Sequence, residues 1–277
     1  MHDGSTNPQS LTTNPPSILI IGGGHMGMAL AQCWRDGFEG LAITLAETDA
    51  TRRQMLASHG FHAPEELELP DEGFDAVVLA IKPQGFTALA PQLADIVGEA
   101  TLISIMAGIP IAALQQVTPH AVRVMPNLPV TIGEGMSALC APALSPDRRD
   151  FVQALMEATG AILWVEDEAQ LHAITAVSGS GPAYLFAFME AFIQAAEQQG
   201  LDTTTARTLV THTMRGAALL AEAQDGDVTT LRQQVTSPGG TTQAALEQFS
   251  VGGLQAMLSN AVKAARVRSE ALANSDT

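Results

Sequence analysis

The sequence predicts an α/β chain, an N-terminal doubly wound sheet of mostly parallel strands followed by an all-helical half. Three observations predict it. Short, continuously apolar runs recur between Ser17 and Val165, and the first four alternate with helix-like stretches. The first run leads straight into a glycine-rich turn that opens a helix. Beyond Val165 the strand signals fade and long helical patterns take over. Parallel strands need crossover connections, usually helices, so the alternation argues for a parallel sheet. Strands buried on both faces read as continuous rather than alternating apolar runs.

Taken in order, strands are expected at 18–21, 41–46, 75–81, 101–105, 121–125, 136–141 and 162–165. Helices are expected at 26–36, ending at Gly37, at 49–58, ending near Gly60, and at 85–96. In the second half, helices are expected at 182–199, 204–222, 243–249 and 254–273. The first of these begins on Pro182 and stops at Gly200, the usual asymmetry of helix ends. Its sequence AYLFAFMEAFIQAA is apolar almost all round, which marks a helix buried in a large core or between subunits. The expected organisation is a disordered polar tail at 1–16, a dinucleotide-binding domain at 17–165 and a helical dimerisation and substrate domain at 166–277.

Composition narrows the function classes. Hydrophobic residues make up 46% of the 277 and charged residues only 15%, against about 25% in ordinary domains, so much of the surface is expected to meet another subunit. The net charge of −16 repels nucleic-acid phosphate and anionic lipid, and neither is an expected partner. No apolar run is long enough to span a bilayer, and the first sixteen residues lack the basic and apolar segments of a signal peptide. Cys33 and Cys140 lie far apart without metal-ligand spacing, so they read as thiols in a reducing, cytoplasmic setting, with no metal site.

The glycine turn carries the first chemistry. Gly22-Gly23-Gly24-His25-Met26-Gly27 follows a strand, opens a helix and sits in a βαβ unit, the context that a GxGxxG pattern needs to signify a dinucleotide. Gly22 permits the tight turn, Gly24 lets backbone approach the pyrophosphate, and Gly27 allows close helix–strand packing. Free N–H groups and the positive end of the helix then face the phosphates. This is the fingerprint of a Rossmann domain.

At the end of the second strand, an acid binds the ribose 2′-hydroxyl of NAD, whereas a nearby Arg accommodates the 2′-phosphate of NADP. Glu47 stands 25 positions after Gly22, but Arg52 and Arg53 follow it. The residues therefore leave NADH and NADPH both open. Ligands of open parallel sheets lie beyond the carboxyl ends of the strands, which places Lys82, in the run Ala80-Ile81-Lys82-Pro83 that closes the third strand, beside the cofactor. Met106-Ala107-Gly108 supplies small residues after the fourth, where a flat ring must fit.

The ordered motifs GGGHMG, AIKP, SIMAGI, RVMPNLP, VSGSGPAY, VTSPGGTT and RSEAL resemble those of the pyrroline-5-carboxylate reductases over nearly the whole chain. SGSGPAY (178–184) and VTSPGGTT (235–242) are the specific parts. The resemblance implies a Rossmann domain, a helical domain that interlocks into a homodimer or a higher assembly of dimers, and NADPH or NADH as reductant. It implies hydride transfer to the C=N bond of Δ1-pyrroline-5-carboxylate, giving L-proline in the last step of proline biosynthesis. It assigns Gly22, Gly23, Gly24, His25, Met26, Gly27, Ala80, Lys82, Pro83 and Ala107 to the cofactor, and the place of Glu47 after the second strand adds that residue to the set. Ser237, Gly240, Thr241 and Thr242 go to the substrate carboxylate, with Glu168 and Gln234 near the site and Thr242 at the imine nitrogen. Glu47 departs from the small polar groups that the family tends to place there.

The chemistry agrees. An imine takes up its own proton near neutral pH, so positioning matters more than a strong acid. The single Tyr, Tyr184, leaves no Tyr-Lys relay. The segment 237–242 contains no Lys or Arg, so an anion there must be held by amides, hydroxyls and the end of the following helix. The alternatives are a β-hydroxyacid-dehydrogenase-like enzyme, which needs a Lys and Asn one helical turn apart that Lys263 does not supply, and a non-catalytic dinucleotide-binding regulator.

Overall fold

The computed structural model describes residues 15–224 and 227–275. Most of the tail expected at 1–16 lies outside the described residues. The chain divides into two compact units, one running to Ser180 and resuming at Ala265, the other Gly181–Ala264.

The first unit is built on a seven-stranded sheet in the order β2-β1-β3-β4-β5-β6-β7. The strands are β1 (Ser17–Ile21), β2 (Ala42–Ala46), β3 (Ala76–Leu79), β4 (Thr101–Ser104), β5 (Ala121–Met125), β6 (Gly135–Cys140) and β7 (Gly160–Trp164). All neighbours are parallel except β5 and β6. The strand order reverses beside β1, as a doubly wound sheet requires. Helices α1 (His25–Gly37), α2 (Ala50–Ser58), α3 (Phe86–Val97), α4 (Ile111–Leu114) and α5 (Pro146–Glu157) accompany these strands.

Alternate residues of each strand feed opposite faces. Ile18, Ile20, Val78, Ile103 and Val124 pack with Leu30 and Trp34 of α1 and Leu155 of α5. Leu19, Val77, Leu79 and Leu102 pack on the other face with Leu93 and Val97 of α3 and Leu114 of α4. Trp34 is wholly buried and gives its indole N–H to the Leu155 carbonyl at 2.6 Å, which satisfies the one polar atom it carries inward.

All seven strands occupy expected places. β3 is shorter than its apolar run because Lys82-Pro83 turns the chain into a single 3₁₀ turn, Pro83–Gly85. Helix α5 is not among the expected elements, although Ser145-Pro146-Asp147 carries its start signals, Pro in the first turn and an acid behind it.

After β7 come α6 (Gln170–Ile174) and a π-helical turn, Thr175–Gly179, closed by the Ser180 N–H on the Thr175 carbonyl at 2.8 Å. The second unit holds α7 (Gly181–Gln198), α8 (Thr203–Ala223), α9 (Val228–Gln234) and α10 (Thr241–Val251), and α11 (Leu254–Ser275) runs out of it into the first. Asp202 and Asp227 cap α8 and α9, accepting from the Thr205 and Thr230 amides. Helices α7 and α8 pack side by side, yet among the described residues of this unit only Ala206 and Val210 are buried.

Candidate active site

The carboxyl ends of β1, β2, β3 and β4 come together through the sheet register, Ile21 pairing with Ala46 and with Leu79, and Leu79 with Ser104. Gly22–Gly27, Glu47, Ala80, Lys82, Pro83 and Ala107 therefore stand at or just beyond one end of the sheet.

The β1–α1 turn is tight where it must be and open where a ligand would lie. Gly22 has φ +110°, and a Cβ on it would stand 2.6 Å from the Ala80 carbonyl oxygen. A Cβ on Gly27 would collide with the Gly22 carbonyl, so α1 presses on the strand end. Gly24 is different, since a Cβ there would meet nothing within 4 Å. Gly24 is also the N-cap of α1 and offers no side-chain cap, so the amides of the first turn look outward uncapped. His25 is exposed and Met26 half-buried beside them.

Glu47 lies under this turn. Its Oε2 accepts from the Gly23 N–H at 3.1 Å and from Arg52 Nη1 at 3.2 Å, and its Oε1 from the Asp49 N–H at 3.0 Å. Burial pushes its carboxyl up, but the Asp49 N–H, the Arg52 guanidinium and the Gly23 N–H together take it below the ordinary Glu value.

Past β3, Lys82 is exposed before the 3₁₀ turn, with Pro83 half-buried behind it. Past β4, Ala107 is exposed and Gly108 has φ +84°. A Cβ on Gly108 would lie 3.5 Å from the Leu272 carbonyl, so the end of α11, within the RSEAL motif, backs this loop.

Glu168 sits between β7 and α6. Its Oε1 accepts from Arg123 Nη1 and from the Ile111 N–H, both at 2.7 Å. It thereby joins β5, the start of α4 and the entry to α6. Arg123 is the partner that the sequence reading missed, and its signal was a charged residue inside an apolar strand. Asn127, a turn residue between two prolines, does more than turn the chain. Its amide donates to the Ser178 carbonyl and hydroxyl, each at 3.3 Å, and accepts from the Met136 N–H at 2.9 Å. The VSGSGPAY motif is thus held at its π-helical turn.

In the second unit, Ser237-Pro238-Gly239-Gly240 leads into α10. The two glycine amides are used internally, that of Gly239 by Gln243 Oε1 at 2.8 Å and that of Gly240 by the Ser237 carbonyl at 3.0 Å. The amides expected to hold an anion in this segment are therefore not those of the two glycines: the uncapped donors are the first-turn amides of α10, beginning at Thr241, because Gly240 is an N-cap without a side chain. Ser237 and Thr241 are exposed, Gly240 and Thr242 half-buried, and Gln234 is the exposed last residue of α9. Tyr184 Oη is buried without a hydrogen-bond partner among the described residues.

Among the described residues no cluster of His, Cys, Asp or Glu could hold a metal ion, both cysteines are free thiols, and no helix is long and apolar enough to cross a membrane.

Comparison with known proteins gives these features a family. Residues 168–272 match the model for pyrroline-5-carboxylate reductase dimerisation, and residues 17–108 the model for NADP oxidoreductase, coenzyme F420-dependent. The pyrroline-5-carboxylate reductase of Pasteurella multocida is 41% identical over 92% of this chain and 96% of its own length. The chain belongs to the pyrroline-5-carboxylate reductase family. The reductase of Pseudomonas aeruginosa is 40% identical over 93% of this chain and 97% of that one. Among solved structures, the reductase of Coxiella burnetii superposes with a TM-score of 0.85 at 33% identity, covering 94% of this chain and 99% of that one. The Plasmodium falciparum pyrroline carboxylate reductase, solved with NADP bound, gives 0.78 at 26% identity, covering 92% and 99%. Membership of this reductase family sets aside both the β-hydroxyacid-dehydrogenase-like reading and the non-catalytic regulator.

Proposed function

We propose that the chain reduces Δ1-pyrroline-5-carboxylate to L-proline with NADH or NADPH, the last step of proline biosynthesis, in the cytoplasm. The observation that carries this reading is a pair of helices opened by uncapped glycines, α1 behind Gly24 and α10 behind Gly240. Each leaves its first-turn amides for an anion, the pyrophosphate in one case and the substrate carboxylate in the other. The open space at Gly24 and the closed contacts at Gly22 and Gly27 fit a dinucleotide.

In this reading residues 17–165 form the dinucleotide-binding domain and 166–277 the helical dimerisation and substrate domain. Gly22, Gly23, Gly24, His25, Met26 and Gly27 hold the pyrophosphate, Glu47 meets the adenosine ribose, and Ala80, Lys82, Pro83 and Ala107 line the nicotinamide end. The bound cofactor supplies the hydride that the imine carbon of the ring, the carbon doubly bonded to nitrogen, receives. Ser237, Gly240, Thr241 and Thr242 hold the carboxylate, Glu168 and Gln234 stand near it, and the Thr242 hydroxyl donates to the imine nitrogen. That nitrogen ends with a proton taken from water, so the C=N bond becomes CH–NH with atoms and charge balanced. The active assembly is a homodimer or a multiple of it, in which a partner subunit completes the site.

The test mixes the purified protein with pyrroline-5-carboxylate and NADH or NADPH and follows the loss of nicotinamide absorbance. Thr242→Val keeps the side-chain shape and removes the hydroxyl. Losing one transition-state donor costs a hundredfold or more in oxyanion sites. Here water can supply the proton, so turnover should fall by about tenfold to a hundredfold, about 1.4–2.7 kcal/mol. A lower melting temperature with turnover within about a factor of two of wild type would make Thr242 a helix-start residue only.

A further inference from the structure

The end of β2 separates the two dinucleotides. The Glu47 side chain is only 8% exposed, and all its contacts lie at the glycine turn and the start of α2. Both arginines that follow are already committed. Arg52 Nη1 lies on the Glu47 carboxylate at 3.2 Å. Arg53 Nη1 donates to the carbonyls of Glu47 at 3.1 Å and Thr48 at 2.8 Å, and its Nη2 lies 3.7 Å from Glu65. Arg53, 17% exposed, is turned onto the backbone, Arg52, 49% exposed, lies against the Glu47 carboxylate, and the group that stands beside Gly23 is that carboxylate.

We infer that Glu47, held by Arg52 and the Gly23 amide, makes NADH the preferred reductant of this chain. The inference rests on the glycine turn being the dinucleotide site. A carboxylate at this position accepts from the 2′-hydroxyl of the adenosine ribose, and it repels the added charge of a 2′-phosphate. A 2′-phosphate that drew on the exposed part of Arg52 would still stand beside the Glu47 carboxylate that Arg52 contacts. The NADP in the P. falciparum relative marks that protein's choice. In this chain the choice follows from the side chain at 47.

Equilibrium titration with ADP-ribose and 2′-phospho-ADP-ribose tests this without turnover, alongside NADH and NADPH on the same protein. Wild type should bind ADP-ribose about tenfold more tightly than its 2′-phosphorylated form, the scale of a carboxylate opposing about two phosphate charges a few ångströms away across water. Glu47→Gln keeps the shape, removes the charge and releases Arg52, and should close most of that gap. Equal binding by wild type, or tighter binding of the 2′-phosphorylated fragment, overturns the inference, and so does an unchanged ratio in Glu47→Gln. The wild-type comparison stands alone if the variant does not fold. If neither fragment binds, the fault lies in the glycine turn as dinucleotide site and the inference falls with it.

Discussion

Single side chains tie together segments that the chain keeps far apart. The Arg123 side chain is 7% exposed in the middle of β5 and the Glu168 side chain 26% exposed at the entry to α6. Breaking a buried pair by removing one partner costs about 3–5 kcal/mol, because a charge stays behind without water or a partner. The two ends are unequal here. Glu168→Leu strands the buried guanidinium and should cost about 3 kcal/mol or more. Arg123→Leu leaves Glu168 with the Ile111 N–H and some solvent, and should cost about 1–3 kcal/mol. Urea unfolding of both single variants and the double variant checks the ordering, and the double should lose less than the sum. Additive losses, or a larger loss from Arg123→Leu, would mean that the pair does not act as a unit. The family resemblance brought Glu168 into view. Nothing local in the sequence linked it to Arg123, since that pairing spans 45 positions.

Elements were more legible, because their signals are local. The β1–α1 turn was readable from a strand, three spaced glycines and a helix pattern, and its glycines now separate by role. Gly24→Val enters open space at an extended backbone position. It should leave the melting temperature nearly unchanged while abolishing dinucleotide binding, read by titration with NADH. Gly27→Ala meets the Gly22 carbonyl. Overpacking of this kind costs about 1–3 kcal/mol, so this variant should melt several degrees lower. If Gly24→Val binds NADH as wild type does, the open face of the turn is not the pyrophosphate site. The π-helical turn Thr175–Gly179 had no readable signal. Its geometry depends on Asn127 holding Ser178 and on Gly179 passing Met125, where a Cβ would come within 2.9 Å of the Met125 methyl. Neither contact follows from local propensity.

At the scale of the whole molecule, the helical unit does not cover its own apolar surface. Leu185, Phe186 and Phe192 of α7, Leu219 and Leu220 of α8 and Met257 of α11 are exposed. Small domains bury a smaller share of their surface, and so many exposed large apolar side chains on a protein low in charge mark an interaction site. Sedimentation should give a dimer or a multiple of it. Phe186→Glu should shift the protein toward monomer and lower activity in parallel, since the proposed site needs a partner subunit. A fully active monomer would remove dimerisation from the account of catalysis.

The sequence by itself determined the alternation of strands and helices, the glycine turn, the helical second half and the family motifs. Each rests on spacing within a few residues, where backbone geometry and side-chain periodicity act directly. Tertiary structure alone decided which charge meets which. Glu47 closes on Gly23 across 24 positions, Arg123 on Glu168 across 45, and Asn127 on Ser178 across 51. The sheet order and register bring those pairs together, and a one-dimensional pattern carries no distance between them. The choice between Glu47 and the arginines that follow it was open in the sequence for that reason. It became readable only when the folded strand ends set the carboxylate beside Gly23, with Arg52 against it and Arg53 on the backbone carbonyls.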